Sequence, residues 1–257
     1  MDLYAYNSVI INKDQLFSDN LAWYFGYDED AETNYTMFRI YKNRTDGEKQ
    51  YPFVRYIADR TTATELTENE GWLLAINAGI GEGLIIENSA VIQDTAASIQ
   101  SGVLPLFIKN DGTLTFGEAD TTGKGSTYVG QGVVSACCGF YPIIVDYEDY
   151  DYPPVPETEE IPAWYHAQRQ IIGQFGNGDY CIITGEGRSY DNSVGLTMAQ
   201  AQTLCKKLGL KFAYNLDGGG STQTAYGGRH VNTIYEGTSG RKRSTFIVFN
   251  GTDSFGA

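Results

Sequence analysis

A chain of 257 residues, 42% of them hydrophobic, is long enough to bury a substantial core in one or two domains. Its net charge of −14 argues against a nucleic-acid partner and against docking on an anionic membrane, each of which calls for a basic face. No stretch approaches the roughly 20 continuous apolar residues of a membrane span, so no membrane insertion is expected.

Residues 1–20 carry no basic segment followed by an apolar one, so no secretory signal is expected; a cytoplasmic or virion-associated protein fits, such as a phage particle component. Residues 1–34 are expected to form an added strand, or an arm through which residues 1–30 dock onto a partner in a homo-oligomer or a virion. Short apolar and aromatic runs follow at 36–41, 73–77, 84–87, 104–109, 141–145, 180–184 and 245–249, each bounded by Gly, Asn or Asp. Thr45-Asp46-Gly47 and Asn110-Asp111-Gly112 are hairpin signals. A Thr-x-x-Glu box opens a helix over 62–70. The run 146–160 is acidic and rich in tyrosine and proline, which predicts a surface loop, either merely solvated or acting as a lid or docking loop. The pattern is α+β, strand-rich, with mixed or antiparallel sheets and a few short helices, and 35–257 reads as one domain.

Cys137, Cys138, Cys181 and Cys205 show no CxxC spacing and are expected to be buried free thiols, the alternative being a vicinal disulfide or metal site at 137–138. With only His166 and His230 in the chain, the common zinc sites are not expected.

The most informative segment begins at Thr197. Thr197 and Gln200 form a capping box, Ala201, Leu204, Cys205 and Leu208 make one apolar stripe, and Gly209 stands where a left-handed C-cap belongs. A strand follows and ends in Asn215-Leu216-Asp217-Gly218-Gly219-Gly220-Ser221-Thr222. In an extended strand Asn215 and Asp217 share a face. Three glycines next to a carboxylate suit a sharp turn, or a ligand approaching bare N–H groups. A Gly-x-Ser-x-Gly elbow and a Walker loop are both excluded by the residues present.

This block resembles the core motif of the phosphodiester glycosidase family. The resemblance extends to Ala75-Ile76-Asn77-Ala78-Gly79 with Gly83-Leu84-Ile85-Ile86 after it, to Arg169-Gln170-Ile171-Ile172-Gly173, to Gly187-Arg188-Ser189, to Val231-Asn232, and to the arginines at 241–243. In order and spacing it covers roughly 35–250. The chain departs from the family pattern at Ala78, where a second glycine is usual, at Ile80-Gly81, at Glu186 in place of an aspartate, and at Gln223, where an apolar residue is usual.

The resemblance implies cleavage of a bond between an anomeric carbon and a phosphate, in a cell-surface glycan or a phosphorylated saccharide. The transition state of such a reaction is oxocarbenium-like, so a carboxylate beside the anomeric carbon is needed. Asp217 is the expected nucleophile or electrostatic stabiliser, with Glu186 as a second carboxylate. Arg169, Arg188, Arg241 and Arg243 are candidates to hold the phosphate through their guanidinium forks. Asn77 and Asn215 would bond sugar hydroxyls, while Gly218, Gly219, Gly220, Ser221 and Thr222 would line the phosphate with N–H groups. No metal or other cofactor is expected, because the chemistry needs no Lewis acid. The alternatives are a sugar-phosphate-binding or receptor-binding module of a phage tail or baseplate, and a cytosolic binder of a nucleotide-like signal.

Overall fold

Strands such as Tyr180–Gly185 and Leu210–Asn215 offer few polar positions to turn toward water, and strands of this kind are stable only with both faces covered. The computed structural model covers them so; it describes residues 20–97, 103–151, 166–187, 193–234 and 240–250, with the backbone of 10–11 and 16–17. In chain order the elements are β1 (Ile10–Ile11), β2 (Leu16–Phe17), β3 (Leu21–Asp28), β4 (Thr33–Ile40), β5 (Pro52–Thr61), α1 (Ala63–Glu70), β6 (Leu74–Asn77), β7 (Leu84–Glu87), β8 (Ala90–Asp94), β9 (Leu106–Lys109) and β10 (Leu114–Phe116). There follow α2 (Gly125–Gly130), β11 (Val133–Cys137), β12 (Tyr141–Val145), β13 (Glu148–Asp149), β14 (Arg169–Phe175), β15 (Tyr180–Gly185) and α3 (Met198–Lys207). The last elements are β16 (Leu210–Asn215), a 3-10 turn at Gly219–Ser221, β17 (Thr224–Tyr226), β18 (Arg229–His230) and β19 (Arg243–Phe249).

The described strands form three antiparallel sheets. The largest runs β1-β3-β4-β15-β14-β16-β12-β13 with β2 beside β3, the second β10-β9-β11-β7-β8, and the third β18-β17-β6-β19-β5. One face of the large sheet, through Phe38, Ile172, Ile182 and Tyr214, shares a single core with Ile76, Ile247 and Phe249 of the third sheet and Ile85 and Leu106 of the second. Its other face packs Met37, Ile171, Ile183 and Ala213 against Met198, Ala201, Leu204 and Cys205 of α3. Helix α1 covers the outer face of the third sheet, and α2 that of the second. Each large apolar side chain removed from water this way contributes about 1.5–3 kcal/mol before entropy is subtracted.

Both expected helices form where their caps predict. Thr62 and Glu65 complete one reciprocal capping box, Thr197 and Gln200 the other, and Gly71 and Gly209 follow them at φ +72° and +76°. Helix α2 has no such signature in its own sequence. Its first N–H groups, Lys124 and Gly125, are capped by the carboxylate of Asp94, about thirty residues earlier, at 3.1 and 3.0 Å.

Two sequence expectations change. Strand β3 pairs with β4 along its whole length, from Leu21 opposite Ile40 to Asp28 opposite Thr33, so a boundary at 34/35 falls inside a strand of the large sheet. The acidic run does not start as a loop: Asp146 and Tyr147, both at positive φ, make the two-residue turn of a hairpin in which Glu148 and Asp149 pair with Val145 and Ile144. The remainder of that run, 152–160, lies outside the described residues. The four cysteines are buried and free. Among the described residues, no helix is long and apolar enough to cross a membrane.

Candidate active site

Strand β16 ends at Asn215, held on one side by β14 and on the other by β12. The next two N–H groups diverge. That of Leu216 still donates to Gln170 of the large sheet (2.8 Å), while that of Asp217 crosses to Ala78 at the end of β6 in the third sheet (2.9 Å). Asp217 therefore lies where the two sheets part. Ala78, which replaces the family's second glycine, presents its carbonyl here and buries its methyl group in the shared core.

Asn77 fixes the loop from behind. Its amide donates to the Asp217 carbonyl (2.6 Å) and accepts the Gln223 N–H (2.8 Å), so both ends of the side chain hold main chain, not a sugar hydroxyl. Gln223 extends the brace: it accepts from the N–H of Ala63 at the start of α1 (3.2 Å) and donates to the Arg241 carbonyl (2.5 Å). An apolar residue at 223 would lose both ties.

The carboxylate of Asp217 is 14% exposed and has a guanidinium nitrogen of Arg243 at 3.4 Å. Arg243 also donates to the hydroxyl of Ser221. Burial raises the Asp217 carboxyl above its ordinary range, and Arg243, the Ser221 hydroxyl, Arg241 and the Gly218 N–H oppose that rise in decreasing order. Desolvation outweighs the cations. The group is thus more basic than an ordinary aspartate, although arginines face it.

The glycines behave differently from a phosphate nest. The N–H of Gly219 donates to the Gln168 carbonyl (2.8 Å) and that of Ser221 to Gly218 (3.1 Å), because the loop closes as a 3-10 turn, while the Gly218 N–H faces Asp217. Thr222 and Asn215 are each 2% exposed, and Thr222 Oγ1 and Asn215 Oδ1 have no hydrogen-bond partner among the described residues. Such buried polar atoms invite a ligand or a water.

Glu186 does not join Asp217. One of its oxygens accepts the Thr233 N–H (2.9 Å) and the other the Gln168 amide (3.3 Å), and its carboxylate lines a cleft formed with Phe25, Asn34, Thr36, Asn232 and Thr233. Arg169 is also committed elsewhere, since its Nε donates to the Leu196 carbonyl before α3 (2.9 Å). Arg188 lies outside the described residues. Among the described residues, Arg241 and Arg243 are the expected cations whose charge acts on Asp217.

Gln168 was not anticipated. Its amide holds Glu186 and the Thr233 carbonyl (2.9 Å), and its main-chain carbonyl holds the glycine loop, so one residue joins cleft and loop. The signal for it was Gln168, Gln170 and Gln174 at even spacing in an apolar strand, all buried on folding. Buried amides in a strand require partners.

The site is thus a buried carboxylate beside a glycine turn, where two antiparallel sheets part, with the charges of Arg241 and Arg243 acting on it. The sequence profile of the phosphodiester glycosidase family matches residues 60–250, and the chain belongs to this family. It is similar to the SPbeta prophage-derived uncharacterized protein YomE of Bacillus subtilis (strain 168), at 28% identity over 190 residues, which are 70% of this chain and 28% of that protein. The chain thus spans well under a third of that relative's length. Among solved structures, the catalytic domain of zebrafish N-acetylglucosamine-1-phosphodiester alpha-N-acetylglucosaminidase, auto-inhibited by its pro-peptide, matches with a TM-score of 0.70 at 16% identity, covering 91% of this chain and 83% of that one. A hypothetical protein from Synechocystis matches with a TM-score of 0.63 at 13% identity, over 91% of this chain and 63% of the other.

Proposed function

We propose that the chain hydrolyses the glycosidic C1–O–phosphate bond of a sugar-1-phosphodiester, in a cell-surface glycan or a phosphorylated saccharide. The observation that carries this reading is the Asp217–Arg243 pair, a carboxylate and a guanidinium 3.4 Å apart at one loop. The reaction separates charge in the same sense: positive charge grows on the anomeric carbon while the phosphate leaves with the bonding electrons. Asp217 faces the anomeric carbon and either stabilises the oxocarbenium ion or attacks it. Arg243 and Arg241 hold the phosphate oxygens, where fixed cations stabilise developing charge without reorganisation. Water supplies the hydroxyl group of the released sugar, and its proton passes to solvent. A phosphate monoester leaves readily, so no strong general acid is required. That fits Glu186, whose two oxygens are engaged within the protein.

The test is hydrolysis of a panel of sugar-1-phosphodiesters by the wild type and by Asp217→Ala, with binding of the same compounds followed in parallel. Turnover that collapses in Asp217→Ala supports the proposal. Binding without turnover favours a second reading: a sugar-phosphate-binding component of a phage particle. The prophage origin in the name of YomE is the observation behind it.

A further inference from the structure

The two cations that act on Asp217 stand on a short segment that the rest of the chain has to hold. Arg241 and Lys242 precede β19, and Arg243 is its first residue. Alternate residues of an extended chain project to opposite sides, and the charges here divide that way. Those of Arg241 and Arg243 act on Asp217, whereas that of Lys242 acts on Glu65 in the first turn of α1. Glu65 is itself fixed there by the Thr61 hydroxyl (2.7 Å) and the Thr62 N–H (3.0 Å).

The ladder between β19 and β5 does not set this segment by itself. Arg243 lies opposite Thr61 and Thr245 opposite Tyr56, so residues 57–60 of β5 stand opposite Ser244 alone, and Arg60 takes a φ of +51°. Such a break in register disrupts the ladder and turns the side chains beyond it. Gln223 supplies a second attachment. Fully buried, its side chain donates to the Arg241 carbonyl (2.5 Å) and accepts from the N–H of Ala63, the first residue of α1 (3.2 Å). A carboxamide suits this place because it donates and accepts at once. The main-chain N–H of Gln223 donates to Asn77, whose amide holds the Asp217 carbonyl. Two side chains in series thus join the main chain of the carboxylate to the main chain of the cations. The contacts of Arg243 with Ser221 and Asp217 fix where its guanidinium ends, and the brace fixes where the segment that bears it begins.

We propose that Gln223 is a positioning residue for the hydrolysis: by holding the Arg241 carbonyl against the first turn of α1, it sets where Arg241 and Arg243 stand relative to Asp217. Its effect on rate rests on the hydrolase reading; its effect on the proton affinity of Asp217 does not. Gln223 acts through the two arginines, and the first turn of α1 is the platform on which they are mounted.

The experiment compares the wild type with Gln223→Met, which keeps length and shape but has no N–H to donate. Thr67→Ala is the control, since it removes bonds to the Gly228 N–H (3.1 Å) and within α1 but none to the arginine segment. Carbon-13 NMR follows the titration of the aspartate carboxyls, with Asp217→Asn identifying the signal. In Gln223→Met the proton affinity of Asp217 rises about tenfold, because the cations that oppose protonation are less well placed. In Thr67→Ala it stays, although both proteins melt earlier. With a sugar-1-phosphodiester, Gln223→Met lowers kcat/KM about tenfold or more and moves the acidic limb of the rate profile to higher pH, while Thr67→Ala does neither. One reading needs no variant and decides the matter if Gln223→Met does not fold: in the wild type the side-chain amide signal of Gln223 follows the Asp217 titration with the same midpoint. An amide signal that stays flat overturns the proposal. So does an Asp217 that titrates alike in wild type and Gln223→Met, or that shifts equally in Thr67→Ala; turnover by the wild type then keeps the hydrolase. A titration shifted in Gln223→Met alone, without turnover of any diester by the wild type, refutes the hydrolase and keeps the positioning.

Discussion

Asp217 and Glu186 are both carboxylates just past the ends of strands in the large sheet, and Gln168 bonds Glu186 and the glycine loop after Asp217, yet their surroundings differ in kind. Glu186 accepts from a main-chain N–H and a buried amide, partners that fix its position. Asp217 faces Arg243, Arg241 and a serine hydroxyl, and burial still raises its affinity for a proton. The first arrangement satisfies a carboxylate and makes it part of the framework. The second leaves a carboxylate with a cost of ionisation, which a substrate that develops positive charge would relieve. A shared neighbour is thus a poor guide to shared chemistry between two acids; the partners of each decide.

The sharpest way to break this contrast is Asp217→Asn. Turnover of a sugar-1-phosphodiester is expected to fall about a thousandfold or more, while folding stability is kept or increased. The folded-state pKa of Asp217 is raised, so its ionised form costs stability in full above that pKa, and the cost disappears below the unfolded value. Asparagine removes the cost at pH 7 and gains little in acid. Thermal melting at pH 7 and near the ordinary aspartate pKa checks this, with about 2–4 °C in Tm expected per kcal/mol. A loss of stability at pH 7 would remove the distinction between the two acids.

Arg243→Ala is expected to lower kcat/KM about 10²–10³-fold, in line with loss of one preorganised group that stabilises charge. Arg243→Lys should recover little, because an ammonium lacks the planar fork that would grip two phosphate oxygens while one nitrogen keeps Ser221 and Asp217. Without Arg243 the proton affinity of Asp217 rises further, so the acidic limb of the rate profile moves to higher pH. A limb that stays in place would mean that the pair does not act together.

Asn77→Ala should act through stability first, at about 1–3 kcal/mol for each main-chain group left unpartnered, with denaturant midpoints as the readout. The smallest kinetic effect is expected for Glu186→Gln, which retains one acceptor: kcat within about tenfold of wild type and a lower melting temperature, since one partner of Glu186 then faces an amide group. A fall in kcat beyond about a hundredfold with unchanged melting would make Glu186 a catalytic acid and overturn the assignment made here.

The parts legible in the sequence were those governed by near neighbours. Helices α1 and α3 follow from capping boxes and terminal glycines, and the hairpin at Gly112 from its Asn-Asp-Gly turn. The segment from Asn215 to Thr222 is recognisable because its chemistry is contiguous. What was not legible depends on pairing between distant strands. Four arginines were candidates, and only the approach of β19 to the end of β6 brings 241 and 243 to Asp217, while Arg169 turns to Leu196. Helix α2 is capped by Asp94 across the fold, and residues 21–28 enter the large sheet by pairing with β4. The glycine N–H groups were expected to face a ligand, but the turn that closes on Gln168 uses that of Gly219.

The four buried thiols have a practical consequence. Burial pushes Cys138 up to about 11 and raises Cys137, Cys181 and Cys205 further, so thiolate forms only when the surrounding structure opens. Cys181 and Cys205 belong to the layer under α3, whereas Cys137 and Cys138 belong to the cores on the two faces of the second sheet. An alkylating reagent added to the native protein therefore acts as a clock: peptide mass analysis of whether Cys137 or the pair Cys181 and Cys205 is modified first tells which side of the large sheet opens first, while Cys138 reports the outer face of the second sheet.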